Sequence, residues 1–307
     1  MDLVRLLAPR DPALDHLARE VCASRPDLRA AFGDADSLGF RQWLGVYGVL
    51  EYPRIAAHYP PLPPEHLRAT VCGGATLASH LQTGAEDFRV LAELFEIYGG
   101  RPFDSVRSVL DFGCGCGREL RWMQSALPAA SMYGADVRKA ATDWCGQNLR
   151  GTFLANGILP PLDLPDDSID FAYALSVWSH LSEEQGRVWM RELARVVRPD
   201  GLILVSTHGA FALALCARSA EHQQVLQIDA ATARELLREL PNRHFVHRVL
   251  PATIRDSADG VAADYGQAFF DEIHARSAFA DSTEFLGCVP CGLNLFQDFH
   301  ALRPRRR

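Results

Sequence analysis

The residues best suited to chemistry lie between positions 109 and 136. Val109-Leu110-Asp111-Phe112-Gly113-Cys114-Gly115-Cys116-Gly117-Arg118 reads as a strand that ends in an acid and runs into a glycine-rich turn opening a helix. Glycine is needed where backbone turns sharply and approaches a ligand with no Cβ in the way. Asp136 follows in Tyr133-Gly134-Ala135-Asp136-Val137, at the tip of the next apolar run and 136 − 111 = 25 residues after the first acid. A carboxylate there accepts hydrogen bonds from both hydroxyls of a ribose, as the acid of a dinucleotide site does. Each feature alone has a bland reading, a tight turn without ligand or a solvated strand-end acid; the two in register favour a nucleoside site. A dinucleotide fingerprint needs G-x-G-x-x-G, and Arg118 stands where its last glycine belongs.

Proton transfer calls for a group that titrates near neutrality. His180, in Ala174-Leu175-Ser176-Val177-Trp178-Ser179-His180, and His208, in Val205-Ser206-Thr207-His208, each follow an apolar run. Both belong at the carboxyl edge of a sheet, where ligands sit, with His180 the first candidate for a base and His208 the second. Local hydrogen bonding is the plain alternative for either ring. His244 and His247 lie three apart on a predicted strand, so they face opposite sides and make poor metal partners. Cys288-Val289-Pro290-Cys291 has ligand-like spacing but no second pair or close histidines, so no metal site is expected. Trp43 and Tyr47, in a helical stripe with Phe40, and Tyr265 are candidate substrate walls, although such a stripe also serves plain helix packing.

A scaffold must bring these strand ends together. From Ser105 short apolar runs alternate with helical patterns, which signals β-α-β units around a parallel sheet. Strands are predicted at 107–112, 131–136, 152–155, 169–175 and 201–207, with helices at about 117–127, 138–149 and 183–197. Ser182-Glu183-Glu184-Gln185 reads as the capping box of the last helix, and Arg198-Pro199-Asp200-Gly201 as the turn that stops it. Further on, helices near 210–220, 230–239 and 266–277, a strand at 244–250, and strands at 282–289 and 293–302 are expected. The short link from Pro290 to Gly292 implies an antiparallel hairpin. Ahead of the sheet, amphipathic helices at 13–24, 40–51 and about 84–98, the last closed by Gly99-Gly100, surround the rigid segment Tyr59-Pro-Pro-Leu-Pro-Pro64.

The whole chain sets bounds on this. Its 307 residues suit one sizeable domain with an appendage, here a helical cap or lid over residues 1–100 and a ligand-binding domain over 101–307 with an insertion at about 210–280. A formal charge of −7 gives no broad positive field for nucleic acid. The basic tail Arg303, Arg305, Arg306 and Arg307 reads as a solvated end. No leader and no long uncharged run is evident, so a cytoplasmic protein with no membrane contact is expected and the 8 cysteines read as thiols.

With D-x-G-x-G-x-G at 111–117, the chain resembles the class I S-adenosylmethionine-dependent methyltransferases. The likeness continues through Phe153-Leu-Ala-Asn156-Gly157, Leu164 to Phe171, Ala174 to Leu181 and Leu193 to Gly201, and so covers about 105–209. Leu62-Pro-Pro-Glu-His-Leu-Arg68 and Gly292-Leu-Asn-Leu-Phe-Gln-Asp298 are similar to segments of bacterial type 11/12 methyltransferase proteins found beside glycan and secondary-metabolite genes. The resemblance implies a doubly wound α/β fold with a mostly parallel seven-stranded sheet and an antiparallel C-terminal hairpin, and S-adenosylmethionine as cofactor with S-adenosylhomocysteine as product. It implies that Asp111 and the backbone of Gly113, Cys114, Gly115 and Gly117 hold the methionine moiety, that Asp136 with Val137 beside it binds the ribose, and that Asn156 and Gly157 border the adenine. Leu175 would offer its carbonyl to the cofactor's amino group, with Trp178 nearby. Asn156 stands where many relatives carry Asp. The activity implied is methyl transfer to oxygen, nitrogen or carbon of a small molecule, a secondary metabolite or a sugar, by a chain compatible with a homodimer. A non-methylating reaction on the same cofactor, such as cyclisation or decarboxylation, and a non-catalytic partner subunit are the alternatives.

Overall fold

The computed structural model describes residues 11–72, 76–255 and 261–305. Met1 to Arg10, where the expected cap begins, and Arg306 and Arg307 of the basic tail lie outside them. Among the described residues nine strands form one sheet: β1 Ser108–Phe112, β2 Ser131–Asp136, β3 Thr152–Ala155, β4 Ile169–Ala174, β5 Val197–His208, β6 Phe245–Val249, β7 Gly266–Phe270, β8 Thr283–Leu293 and β9 Gln297–Pro304. The first five are parallel in the order β3-β2-β1-β4-β5, and β9 lies antiparallel along Ile203 to His208 with β8 outside it. These seven are the expected sheet. β6 and β7 are an added hairpin that joins it through one pair at the tip of β5, His208 with Phe269. The backbone N–H groups of Gly266 and Ala268 also donate to the carbonyls of His180 and Ser179, so β7 prolongs the line of β4.

Side-chain alternation splits the core in two. Val109, Phe171, Tyr173, Leu204 and Phe299 face a layer built by the long helix Leu77–Gly99, the helix Leu120–Ala126 and the N-terminal helices. Leu110, Phe112, Ala172, Ile203 and Val205 face the helices Glu183–Val196 and Glu272–Ala278. Strands buried on both faces read as near-continuous apolar runs, and all five residues of β1 are buried. The segment 1–100, as far as it is described, therefore shares the sheet's core, and Gly45 abuts the Trp122 ring so closely that a Cβ there would lie 2.7 Å from it.

Several expectations need correction. Residues 266–270 are a strand rather than the start of a helix; all five are buried, and a short fully buried run has no period that separates strand from helix. The hairpin does not turn at Pro290 to Gly292, which lie inside β8 as an irregular stretch, but at Asn294 to Phe296. Ser182 stands at the N-cap with extended backbone but makes no capping hydrogen bond. Arg198 to Gly201 fall inside β5, in the interruption between the pairs Ile169–Val197 and Phe171–Leu202.

Asp170 holds the amino-end side of the sheet together. One of its oxygens accepts from the backbone N–H groups of Arg107 at 2.7 Å and Ser108 at 3.0 Å, and the other from Arg198 at 2.7 Å. Replacing it strands the backbone donors of Arg107 and Ser108 at the start of β1 and the guanidinium of Arg198 in β5. Asp170→Ala is therefore expected to cost about 3 kcal/mol in chemical unfolding, whereas a loss under about 0.5 kcal/mol would mean water replaces the carboxylate.

Candidate functional site

The turn after β1 is pinned to β2. Gly113 and Cys114 both donate to the Ala135 carbonyl, at 2.7 and 3.0 Å, and Gly115 donates to Asp136 Oδ2 at 2.8 Å. Gly113 and Gly117 adopt φ of 87° and 74°, and a Cβ on either would come within 2.3 Å of Val177 or Leu149. Here glycine serves both the left-handed backbone and close packing against the neighbouring elements.

Above this turn lies a cavity of about 150 Å³, lined by Asp111, Arg118 and Glu119 from β1 and its turn, Leu175 and Ser176 after β4, and the β8–β9 turn. Asp111 is buried and accepts from the Tyr173 hydroxyl at 3.0 Å, across the pair that joins β1 to β4. Burial and the neighbouring Glu119 hold its pKa well above the usual carboxylate range. Arg118 pairs with Glu119 and, at 3.2 Å, with Asp87 of the long helix. Burial raises Asp87 to about 8. Arg118 thus pairs with two carboxylates beside the buried Asp111, a set with more acidic groups than basic ones that a cationic ligand would complement. Asp87 and Glu119 were not legible in sequence, since one sits on a remote helix and the other follows the glycine motif as an ordinary surface-type acid.

The second acid is engaged differently. Asp136 is buried, and both its oxygens are held: Oδ1 by the backbone N–H and Nε of Arg138, at 2.9 and 3.1 Å, and Oδ2 by Gly115 and Arg138 Nη2. The Arg138 side chain therefore covers the carboxylate on which a ribose would lie. Val137 is half-buried beside it, and Asn156 at the end of β3 turns its amide to the Gly157 carbonyl.

His180 lies past the tip of β4, and its Nδ1 is 2.9 Å from the Gly266 carbonyl. A carbonyl only accepts, so Nδ1 carries the proton and Nε2 keeps its lone pair. Tyr265 stacks on the ring at 4.9 Å and 16°, and burial lowers the His180 pKa below its ordinary value. His208 lies 6.4 Å away, ring to ring, with its Nε2 3.3 Å from the Gln297 amide nitrogen and its pKa lowered by burial to about 3. Its lone pair is already used, which leaves it a neutral buried ring rather than a base. Gln297 further donates to Ser176 and accepts from Ser206, at 2.8 and 2.7 Å.

Three expected site residues lie elsewhere. Trp178 is buried against Phe112 and donates to the Gly186 carbonyl, on the sheet face away from Asp111. Trp43 packs among Phe32, Phe40 and Tyr52, and Tyr47 is 39 % exposed with its hydroxyl on Gln82. Neither lines the cavity, because their helix meets the sheet layer through Gly45 and Trp122. Among the described residues no three histidine, cysteine or acidic side chains are placed to hold a metal ion, and no helix is long and apolar enough to cross a membrane.

Residues 109–201 match the family model described as a methyltransferase domain. Methyltransferase GfsG of Streptomyces halstedii is 27 % identical over 117 residues, which are 36 % of this chain and 41 % of that protein. The chain thus spans about two fifths of the length of this curated relative. Among solved structures, an S-adenosylmethionine-dependent methyltransferase from Clostridium acetobutylicum aligns over 78 % of this chain and 97 % of its own, with TM-score 0.47 and 9 % identity. The 1,6-didemethyltoxoflavin-N1-methyltransferase of Burkholderia thailandensis aligns over 80 % and 92 %, with TM-score 0.45 and 14 % identity. Residues 109–201, which hold the motif at 111–117, are thus similar to a methyltransferase domain.

The raised pKa of Asp87 has a stability consequence. Between about pH 4 and 8 the folded protein keeps a proton there that the unfolded chain has lost, so this group lowers stability as pH rises through that window. Asp87→Asn imitates the protonated acid. Its melting temperature is expected to exceed that of the parent chain at pH 8, with the gain vanishing toward pH 4. An equal shift at both ends would show that Asp87 is ionised in the fold.

Proposed function

We propose that this chain transfers the methyl group of S-adenosylmethionine to a hydroxyl oxygen of a small molecule, with His180 as the base. The observation that carries the reading is a pair of features at adjoining strand tips. One is the surplus of buried carboxylates around Arg118; the other is an imidazole held by Gly266 with Nε2 left to accept.

The donor set fits the cofactor's amino-acid end. Asp111 and Glu119, with Asp87 behind Arg118, supply negative charge for an ammonium, while Arg118 itself suits a carboxylate. At the ribose end Asp136 is the natural acceptor for two hydroxyls once the Arg138 side chain swings aside. Bound, the cofactor supplies a sulfonium methyl whose bonding pair stays on sulfur as the acceptor oxygen's lone pair takes the carbon. The protein's part is to hold the acceptor in line, to exclude water and to receive a proton. Alignment of reacting groups contributes about 7–11 kcal/mol in well-oriented cases. His180 Nε2 takes the hydroxyl proton, and Tyr265 and the Gly266 carbonyl fix the ring plane and tautomer for that task.

Calorimetry with S-adenosylmethionine, then label transfer to a panel of hydroxylated small molecules, tests the reading directly; binding without transfer to any of them would favour a different reaction on the same cofactor. His180→Gln is expected to lower kcat by about 10²–10⁴-fold with cofactor affinity unchanged. Because burial depresses the base's pKa below 6.5, the rate should be level across neutral and alkaline pH and fall only on the acid side of 6.5. An inflection above pH 7 would remove His180 as the base.

A further inference from the structure

The turn that walls the cavity holds a conformation its sequence does not favour. Leu293 and Gln297 pair across β8 and β9, and Phe296 N–H donates to the Leu293 carbonyl at 3.0 Å. The two residues enclosed, Asn294 and Leu295, are both left-handed, with φ of 53° and 54°. Two successive positive φ values are the pattern of a type I′ hairpin, in which asparagine followed by glycine is preferred. Asparagine is in place; leucine occupies the position glycine would take, and its Cβ meets the steric cost that excludes most residues from this region. Burial does not offset that cost, because the Leu295 side chain is 79 % exposed.

A strained and exposed apolar residue at the rim of a site points to a ligand that covers it. The neighbours agree. Leu293, Asn294, Phe296 and Gln297 face the cavity. The Phe296 ring lies 5.2 Å from His208 and 5.4 Å from His222, which fixes the turn against the helix Ala220–Leu226. His208 pairs with Gln297, and Gly209 abuts Asp298, so the helix Ala210–Cys216 begins beside the same turn. Its first turn presents Phe211, 47 % exposed.

We infer that Leu295 and Phe211 form the acceptor rim, and that the acceptor is a molecule with an apolar body carrying the hydroxyl that meets His180. A bare sugar is thereby disfavoured, since two exposed apolar side chains gain nothing from a surface covered in hydroxyls. The inference rests on the methyl-transfer reading above, but its rim makes a separate prediction.

The probe is 2-naphthol, an apolar fluorescent alcohol, with methyl glucoside as the polar control. Protein saturated with S-adenosylhomocysteine is titrated with each, and labelled S-adenosylmethionine reports transfer. The parent chain should bind and methylate 2-naphthol in preference to the glucoside. Leu295→Gly should raise the melting temperature, by relieving the turn, while weakening 2-naphthol binding roughly tenfold and leaving cofactor affinity within about twofold. Phe211→Ser should weaken the same binding without the stability gain. Unchanged 2-naphthol affinity in Leu295→Gly, no binding to the parent chain, or preference for the glucoside would each overturn the rim. Failure of the underlying reading looks different: 2-naphthol binding is lost in Leu295→Gly, yet no label moves or S-adenosylmethionine does not bind.

Discussion

The structure turns on a local excess of negative charge in a place with little water. Asp87 and Glu119 pair with the guanidinium of Arg118, and Asp111 lies buried close enough to feel the charge of Glu119. In bulk water such an arrangement would be nearly neutral in energy, but at low dielectric unlike and repelled charges are felt strongly, and protons enter to relieve them. The upward pKa displacement of Asp87 and Asp111 comes first from burial and then from the charge of Glu119. A group of carboxylates that must borrow protons is poised for a cationic ligand, which can replace the protons with better geometry. The same cluster therefore lowers the stability of the free protein, a cost of the kind found where stability and function compete.

The strand order explains why the cluster and the histidine share one edge. β1 and β4 are neighbours in a parallel sheet, so their carboxyl ends open on the same side. Asp111 ends one and His180 follows the other. β7 then prolongs β4, and its first residue gives His180 a backbone acceptor. An insertion that adds only a hairpin to the sheet's end thus decides which nitrogen of the ring carries the proton. That is an economical way to orient an imidazole, because a carbonyl fixed in a ladder cannot rotate away as a side chain would.

Much of the sheet was legible because its signals are local. An apolar run closed by Asp and glycine at 109–117, and a second closed by Asp136, need no partner to be recognised, and both fall where expected. What failed to show was anything decided by tertiary contact. Asp87 becomes a member of the site only because the long helix crosses Arg118, and nothing in its own surroundings marks it. Trp43 and Tyr47 have the spacing of a wall, but the same spacing builds a packing face, and Gly45 settles the matter by letting that helix approach Trp122. The β8–β9 turn was misplaced for a sharper reason. Turn rules weigh glycine and proline, which occur at Pro290 and Gly292, whereas the chain reverses at Asn294-Leu295, where the rule is broken.

That break is itself informative. Like Cys291 inside β8, Leu295 takes a left-handed backbone that local preference disfavours, and its side chain is held out in solvent rather than buried. Opposite the turn, Arg138 lies over Asp136, covering a carboxylate that a nucleoside would need. The two rims are thus chemically unlike: a cation that must move to expose an acid on the β2 side, and an apolar pair held out toward solvent on the β5 side. A cleft with such asymmetry suits two ligands of different character better than one, with a polar, charged molecule gripped over β1 and β2 and a greasier one laid against the end of β5. Transfer between two bound molecules asks for just this division, because each half of the cleft can then be tuned without disturbing the other.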